Sequence, residues 1–136
     1  MNDLFNKLYS EALKAYNNAY TPYSHFNVGA AILLDDGNIV AGANVENASY
    51  GLTNCAERTT LFYLYSLGYK KENIKAMLII ANSTRPISPC GACRQVMMEL
   101  MPKDCKVYLT NLKKDIKEVM VIDLLPYSFE SEDLDV

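Results

Sequence analysis

The sequence has one histidine, no block of lysine or arginine, and no apolar stretch near the roughly 18 residues that a membrane-spanning helix needs. The lone histidine, His25, stands between Ser24 and Phe26 in a loop and has no second histidine with which to share a metal ion. Thirteen basic side chains against sixteen acidic ones leave a net charge of -3. Without a basic run to track a phosphate backbone, nucleic acid is a poor partner. The opening MNDLFNKLYSEALKAY breaks its apolar positions with charges, so no signal peptide or membrane anchor is read there and a cytoplasmic location is expected. Repeats, low-complexity tracts and linkers are also missing. Half of the 136 residues are apolar, enough to bury a core, and one domain spanning 1–136 is expected.

What is present reads as alternating elements. Leu4, Leu8, Ala12 and Ala15, with Phe5 and Tyr16 beside them, recur at helical spacing, and Pro22 stops anything helical soon after. FNVGAAILL and IVAGANV flank the turn DDGN and predict an antiparallel hairpin. Cys55 to Gly68 has the length and leucine spacing of a helix, with Gly68 placed as its stop. AMLIIANS (76–83) is a short continuous apolar run suited to a strand covered on both faces. SPCGAC leads into a helix over RQVMMELM, halted by Pro102; VYLTN is a further strand, IKEVMV a candidate fifth, and IDLLPYSF a closing turn. This order predicts an α/β fold with a mixed sheet flanked by helices. The acidic end SEDLDV is expected to be loosely held.

Three of the four cysteines fall at informative places. Cys55 would begin one helix, and Cys90 and Cys93 would straddle the first turn of the next, with Pro89 fixing the turn that presents them. Helix N-termini favour thiolates, and thiolates are what a metal ion needs. Cys-x-x-Cys puts two sulfurs on one turn, and Cys55 supplies a third. Three protein ligands leave a tetrahedral zinc ion one open position, the mark of a catalytic site. Glu57, two residues beyond Cys55, is then placed to move protons to and from the attacking water. Cys105 precedes a strand without a paired partner and is assigned to packing or surface. The ten tyrosines and six methionines read as core and interface filling.

Cys-Ala-Glu followed by Pro-Cys-x-x-Cys is the signature of zinc-dependent base deaminases. With AYTPYSHFNVGAA, GANVENASYGLTNCAER, SPCGACRQV and LLPYSF, the chain resembles the small homotetrameric cytidine deaminases from Tyr20 to Phe129. The resemblance implies a three-layer α/β/α fold with a five-stranded mixed sheet and one zinc ion per chain. It also implies a nucleoside substrate and a homotetramer with shared active sites. Asn44 and Glu46, flanking an inward-facing Val45, would hold the ribose hydroxyls. Phe26 would pack on the pyrimidine, and Glu57 with the Ala56 backbone would meet the base edge. Ala48 and Tyr50 would reach into a neighbour's site, with Phe129 helping to close a pocket. Arg58 would hydrogen-bond the sulfurs and offset their excess negative charge, with Arg94 and Gln95 as further candidates.

Two other readings stay open on the residues alone. A blasticidin-type aminonucleoside deaminase shares the three cysteines and the Cys-Ala-Glu step, whereas NVENASYG and LLPYSF favour cytidine. A structural zinc adaptor usually wants two Cys-x-x-Cys pairs, and the chain has one.

Overall fold

The computed structural model describes residues 2–135. Helix α1 (Asp3–Asn17) starts where Asn2 Oδ1 accepts the Phe5 N–H at 2.8 Å, satisfying one of the donors a helix start leaves free. Strands β1 (Val28–Leu34) and β2 (Ile39–Ala43) form the expected hairpin, turned at Gly37 with φ 90°. Helix α2 (Ala56–Ser66), strand β3 (Ile74–Ala81), helix α3 (Gly91–Leu100) and strands β4 (Lys106–Asn111) and β5 (Ile116–Met120) follow. Helix α3 begins three residues before the run RQVMMELM, because Cys90 caps it.

The strands form one mixed sheet in the order β2-β1-β3-β4-β5, with β3 and β4 parallel and every other neighbouring pair antiparallel. Successive side chains on a strand point to opposite faces, so the continuous apolar runs serve two cores. Ile32, Met77 and Val107 lie in register across β1, β3 and β4, as do Ala30, Ile79 and Leu109. These rows pack under Leu61 and Leu64 of α2 and Met97 of α3. On the other face Ala31, Leu78 and Tyr108 pack against Phe5, Leu8 and Ala12 of α1. The architecture is therefore three-layer α/β/α. No helix among the described residues is long and apolar enough to cross a membrane.

Helix α1 approaches the sheet so closely that a Cβ built on Gly29 would stand 2.2 Å from the Ala12 carbonyl oxygen and 2.8 Å from the Tyr16 nitrogen. Backbone cannot retreat from such a clash without moving the whole helix. Gly29→Ala is thus expected to destabilise the fold by about 3 kcal/mol, the upper range for overpacking. Urea denaturation checks this, and an unchanged midpoint would mean that α1 does not sit this close.

The topology also sets where the two cysteine helices begin. Strands β2 and β3 are both antiparallel to β1, hence parallel to each other. Helix α2 leaves the carboxyl end of β2 and α3 leaves that of β3, and both cover the same face. Their N-termini therefore emerge at one end of the strands.

Two expectations need correction here. Val45 does not face inward: it is 50 % exposed, and only its backbone is committed, bridging Tyr20 and Asn54. The acidic end is held better than its charge suggests. A 3₁₀ turn over Ser131–Leu134 is capped by Asp133, which accepts the Glu130 N–H at 2.9 Å, while Lys103 pairs with Glu130. Val136 lies outside the described residues.

Candidate active site

Cys55 and Cys90 are the residues immediately before α2 and α3, both with extended backbone, and Cys93 sits in the first turn of α3. Converging helix starts bring all three sulfurs within 4.8 Å of one another. The Cys55 and Cys90 sulfurs stand 3.9 Å apart. A tetrahedral ion with zinc–sulfur bonds of about 2.3 Å needs ligands about 3.8 Å apart, so the donor set fits zinc. Cys90 also accepts the Cys93 N–H at 3.5 Å, which locks the pair on its turn.

The charges tell the same story. A hydrogen bond from Cys93, helped by one from Arg58, lowers the Cys55 thiol to about 5. The thiolate so favoured pushes Cys93, which is fully buried, strongly upward. The Cys55 thiolate and a second one at Cys93 therefore oppose each other, a conflict that a divalent cation removes by supplying positive charge. Arg58 donates to the Cys55 sulfur at 3.3 Å, and the negative sulfurs in turn raise the guanidinium further. Its Nε is buried without a partner among the described residues.

Glu57 lies one residue inside α2 and is 4 % exposed. Burial first, and then the charge on Cys55, push its carboxyl up to about 7. Such a group both takes and returns a proton near neutrality.

A cleft of about 280 Å³ opens beside the sulfurs. Of the residues singled out from the sequence, it is lined by Phe26, Asn44, Glu46, Tyr50, Cys55, Ala56, Glu57 and Cys90. Asn44 is anchored by its own side chain, Nδ2 donating to the Phe26 carbonyl and Oδ1 accepting from the Val28 N–H, each at 2.9 Å. Glu46 accepts from the backbone of Tyr23 and Ser24, both at 3.1 Å, and from the Ser24 hydroxyl, which holds its carboxyl below the usual value.

Other sequence candidates stand elsewhere. Val45 and Ala48 do not line the cleft, and Tyr50 lines that of its own chain. Phe129 borders a separate small hollow with Met98 and Lys103, its carbonyl accepting from Gln95 at 2.8 Å. Gln95 is thereby turned away from the sulfurs, and so is Arg94. The Arg94 guanidinium donates to the Leu124 carbonyl at 2.7 Å, the Pro89 carbonyl at 2.8 Å and the Ser88 hydroxyl. It braces the loop that presents Cys90. Ser24, Val28, Thr53, Ile87 and Ser88, none of them a candidate from the sequence, also line the cleft. The signal for Ser24 and Ser88 was their place inside YSHF and SPCGAC.

A three-sulfur set that fits zinc, a buried carboxyl raised toward neutrality and an open cleft at the carboxyl ends of two parallel strands define a zinc-dependent hydrolase. Residues 4–109 match the family model described as the cytidine and deoxycytidylate deaminase zinc-binding region. The chain belongs to that family, and its cofactor is zinc. It is 57 % identical over 127 residues to a cytidine deaminase of Halalkalibacterium halodurans, covering 93 % of this chain and 95 % of that one. A crystal structure of cytidine deaminase from Burkholderia pseudomallei superimposes with a TM-score of 0.89 at 46 % identity, over 95 % of this chain and 100 % of that one. The cytidine deaminase structure from Mycobacterium tuberculosis gives 0.79 at 38 % identity, over 96 % and 99 %.

Proposed function

We propose that the protein hydrolyses cytidine and deoxycytidine to uridine and deoxyuridine, releasing ammonia, as a step of pyrimidine nucleoside salvage in the cytoplasm. The observation that carries this reading is the convergence of three cysteine sulfurs beside buried Glu57, in a cleft that also holds Phe26, Asn44 and Glu46.

Cys55, Cys90 and Cys93 hold the zinc ion, and Arg58 offsets the excess negative charge of three thiolates. When bound, zinc supplies the Lewis acidity that makes water a nucleophile near neutral pH. Glu57 takes a proton from the attacking water and passes it to N3 of the base as the C4–O bond forms. It carries the second proton to the exocyclic amine, the C4–N bond breaks, and ammonia leaves. Phe26 packs on the pyrimidine, and the Ala56 backbone meets the base edge. Asn44 and Glu46, with the Val45 backbone between them, receive the ribose hydroxyls. The reading treats residues 1–136 as one domain and assembles four copies. Ala48 and Phe129, which lie outside the cleft of their own chain, then serve a neighbour's site, and Tyr50 borders the junction between the two.

The adaptor reading wants a fourth thiolate. Cys105 is outside the cluster, buried, and pushed up to about 11 by that burial, which suits packing and not ligation. The test is the loss of cytidine absorbance with purified protein, with blasticidin S in parallel, repeated on dilution into monomers. Cytidine turnover that disappears on dilution is expected. Turnover of blasticidin S alone would move the activity to the antibiotic class, and turnover that survives in monomers would end the shared-site assembly.

A further inference from the structure

The loop between α1 and β1 carries Phe26 to the cleft, and the buried carboxylate of Glu46 holds it from beneath. Oε1 of Glu46 accepts the N–H groups of Tyr23 and Ser24, and Oε2 accepts the Ser24 hydroxyl. The same hydroxyl oxygen accepts the Phe26 N–H at 3.0 Å. Ser24 is thus the one side chain among the described residues that bonds both Glu46 and Phe26. The loop needs such a tie. His25, between Ser24 and Phe26, holds the left-handed conformation at φ 58°, uncommon for a residue with a side chain. Ser24 to Phe26 are all exposed.

We propose that Ser24 is a positioning residue which makes the Glu46 carboxylate and the Phe26 wall a single unit, and so sets the affinity of the cleft for a nucleoside. An ionised carboxylate has about four acceptor positions. Ser24 and the two amides fill three, leaving Glu46 one position for a hydroxyl from a ligand. With Phe26 tied to the same serine, the spacing between that hydroxyl and a ring packed on Phe26 is set before binding. Ordering the loop in advance lowers the entropic cost of association. Ser24 touches neither the sulfurs nor Glu57, so its loss acts on binding and not on proton transfer.

The inference rests on the nucleoside deaminase reading, and its test separates the two. In Ser24→Ala, KM for cytidine rises about tenfold, the scale of one hydrogen bond to a charged group, while kcat stays within about twofold. Zinc content stays at that of the parent protein. Ser24→Thr, which keeps the hydroxyl, restores KM to within about threefold. Because Ser24 works through Glu46, the double variant Ser24→Ala/Glu46→Gln has a KM no higher than Glu46→Gln alone. Amide hydrogen exchange over residues 22–27 is faster in Ser24→Ala than in the parent. A fall in kcat at unchanged KM, multiplicative effects in the double variant, or unaltered exchange would each overturn the coupling. If the parent protein leaves cytidine untouched, the deaminase reading fails by itself. The exchange comparison then decides on Ser24 alone, faster exchange supporting the tie and equal exchange ending it.

Discussion

Glu57→Gln is expected to lower kcat/KM for cytidine by about 10⁴-fold, the full range attributed to a positioned general acid–base group. The amide has nearly the shape of the carboxyl, so the packing around a side chain that is only 4 % exposed is kept. What disappears is the ability to accept a proton and hand it on. Burial and the neighbouring Cys55 charge bring the carboxyl to about 7, where the protonated and ionised forms are both populated at neutral pH. Among the described residues no other carboxylate lines the cleft except Glu46, whose oxygens are engaged by Tyr23 and Ser24. A substitute proton carrier is therefore missing among the described residues. Initial rates of cytidine absorbance loss over a range of substrate concentrations, with metal content measured on the same sample, check this. A variant holding its zinc and turning over within tenfold of the parent would remove Glu57 from the mechanism.

Loss of one sulfur removes activity by a different route, through the metal. Cys93→Ser is expected to leave less than about a tenth of the parent's zinc after dialysis against a chelator, with activity falling in parallel. The side chain is fully buried, and three sulfurs within 4.8 Å are the whole donor cluster among the described residues. Two ligands do not make the closed half of a tetrahedron that leaves one position for water. The parent protein stripped of metal should be inactive and recover on addition of equimolar zinc. Since zinc binds the folded form, the stripped protein should also melt earlier, by an amount equivalent to about 4 kcal/mol when zinc is a thousandfold above its dissociation constant. A Cys93→Ser protein that retains zinc and activity would show that the ion is held elsewhere. Such a result would also leave the depressed Cys55 thiol without a role.

Local relationships were legible because short-range geometry decides them. A Cys-x-x-Cys pair at a helix start stands on one turn in any fold, and Cys90 does accept the Cys93 N–H. Glu57 follows Cys55 onto the same helix for the same reason. The continuous apolar run of β3 implied cover on both faces, and Met77 and Leu78 do belong to different cores. Charge adjacency was a poorer guide. Arg58, three residues from Cys55, reaches its sulfur, but Arg94, the very next residue after Cys93, turns the other way to brace Pro89 and Leu124. Which face of a helix a side chain serves depends on what lies 30 residues away, and no local pattern records that.

By itself the sequence determined the chemistry available: three thiols at helix starts, a carboxyl beside one of them, and a hydrophobic pattern that makes helices and strands of definite length. These follow from hydrogen-bond spacing and side-chain periodicity within a few residues. Tertiary structure alone decided that the chemistry comes together. Cys55 and Cys90 meet because β2 and β3 both run antiparallel to β1, so that both helices start at the same end of the strands. It also turned Val45 outward and gave Glu46 to the loop that carries Phe26. Contacts between residues distant in the chain form only when the sheet is assembled, because burial of its two faces offsets the entropy of closing those loops.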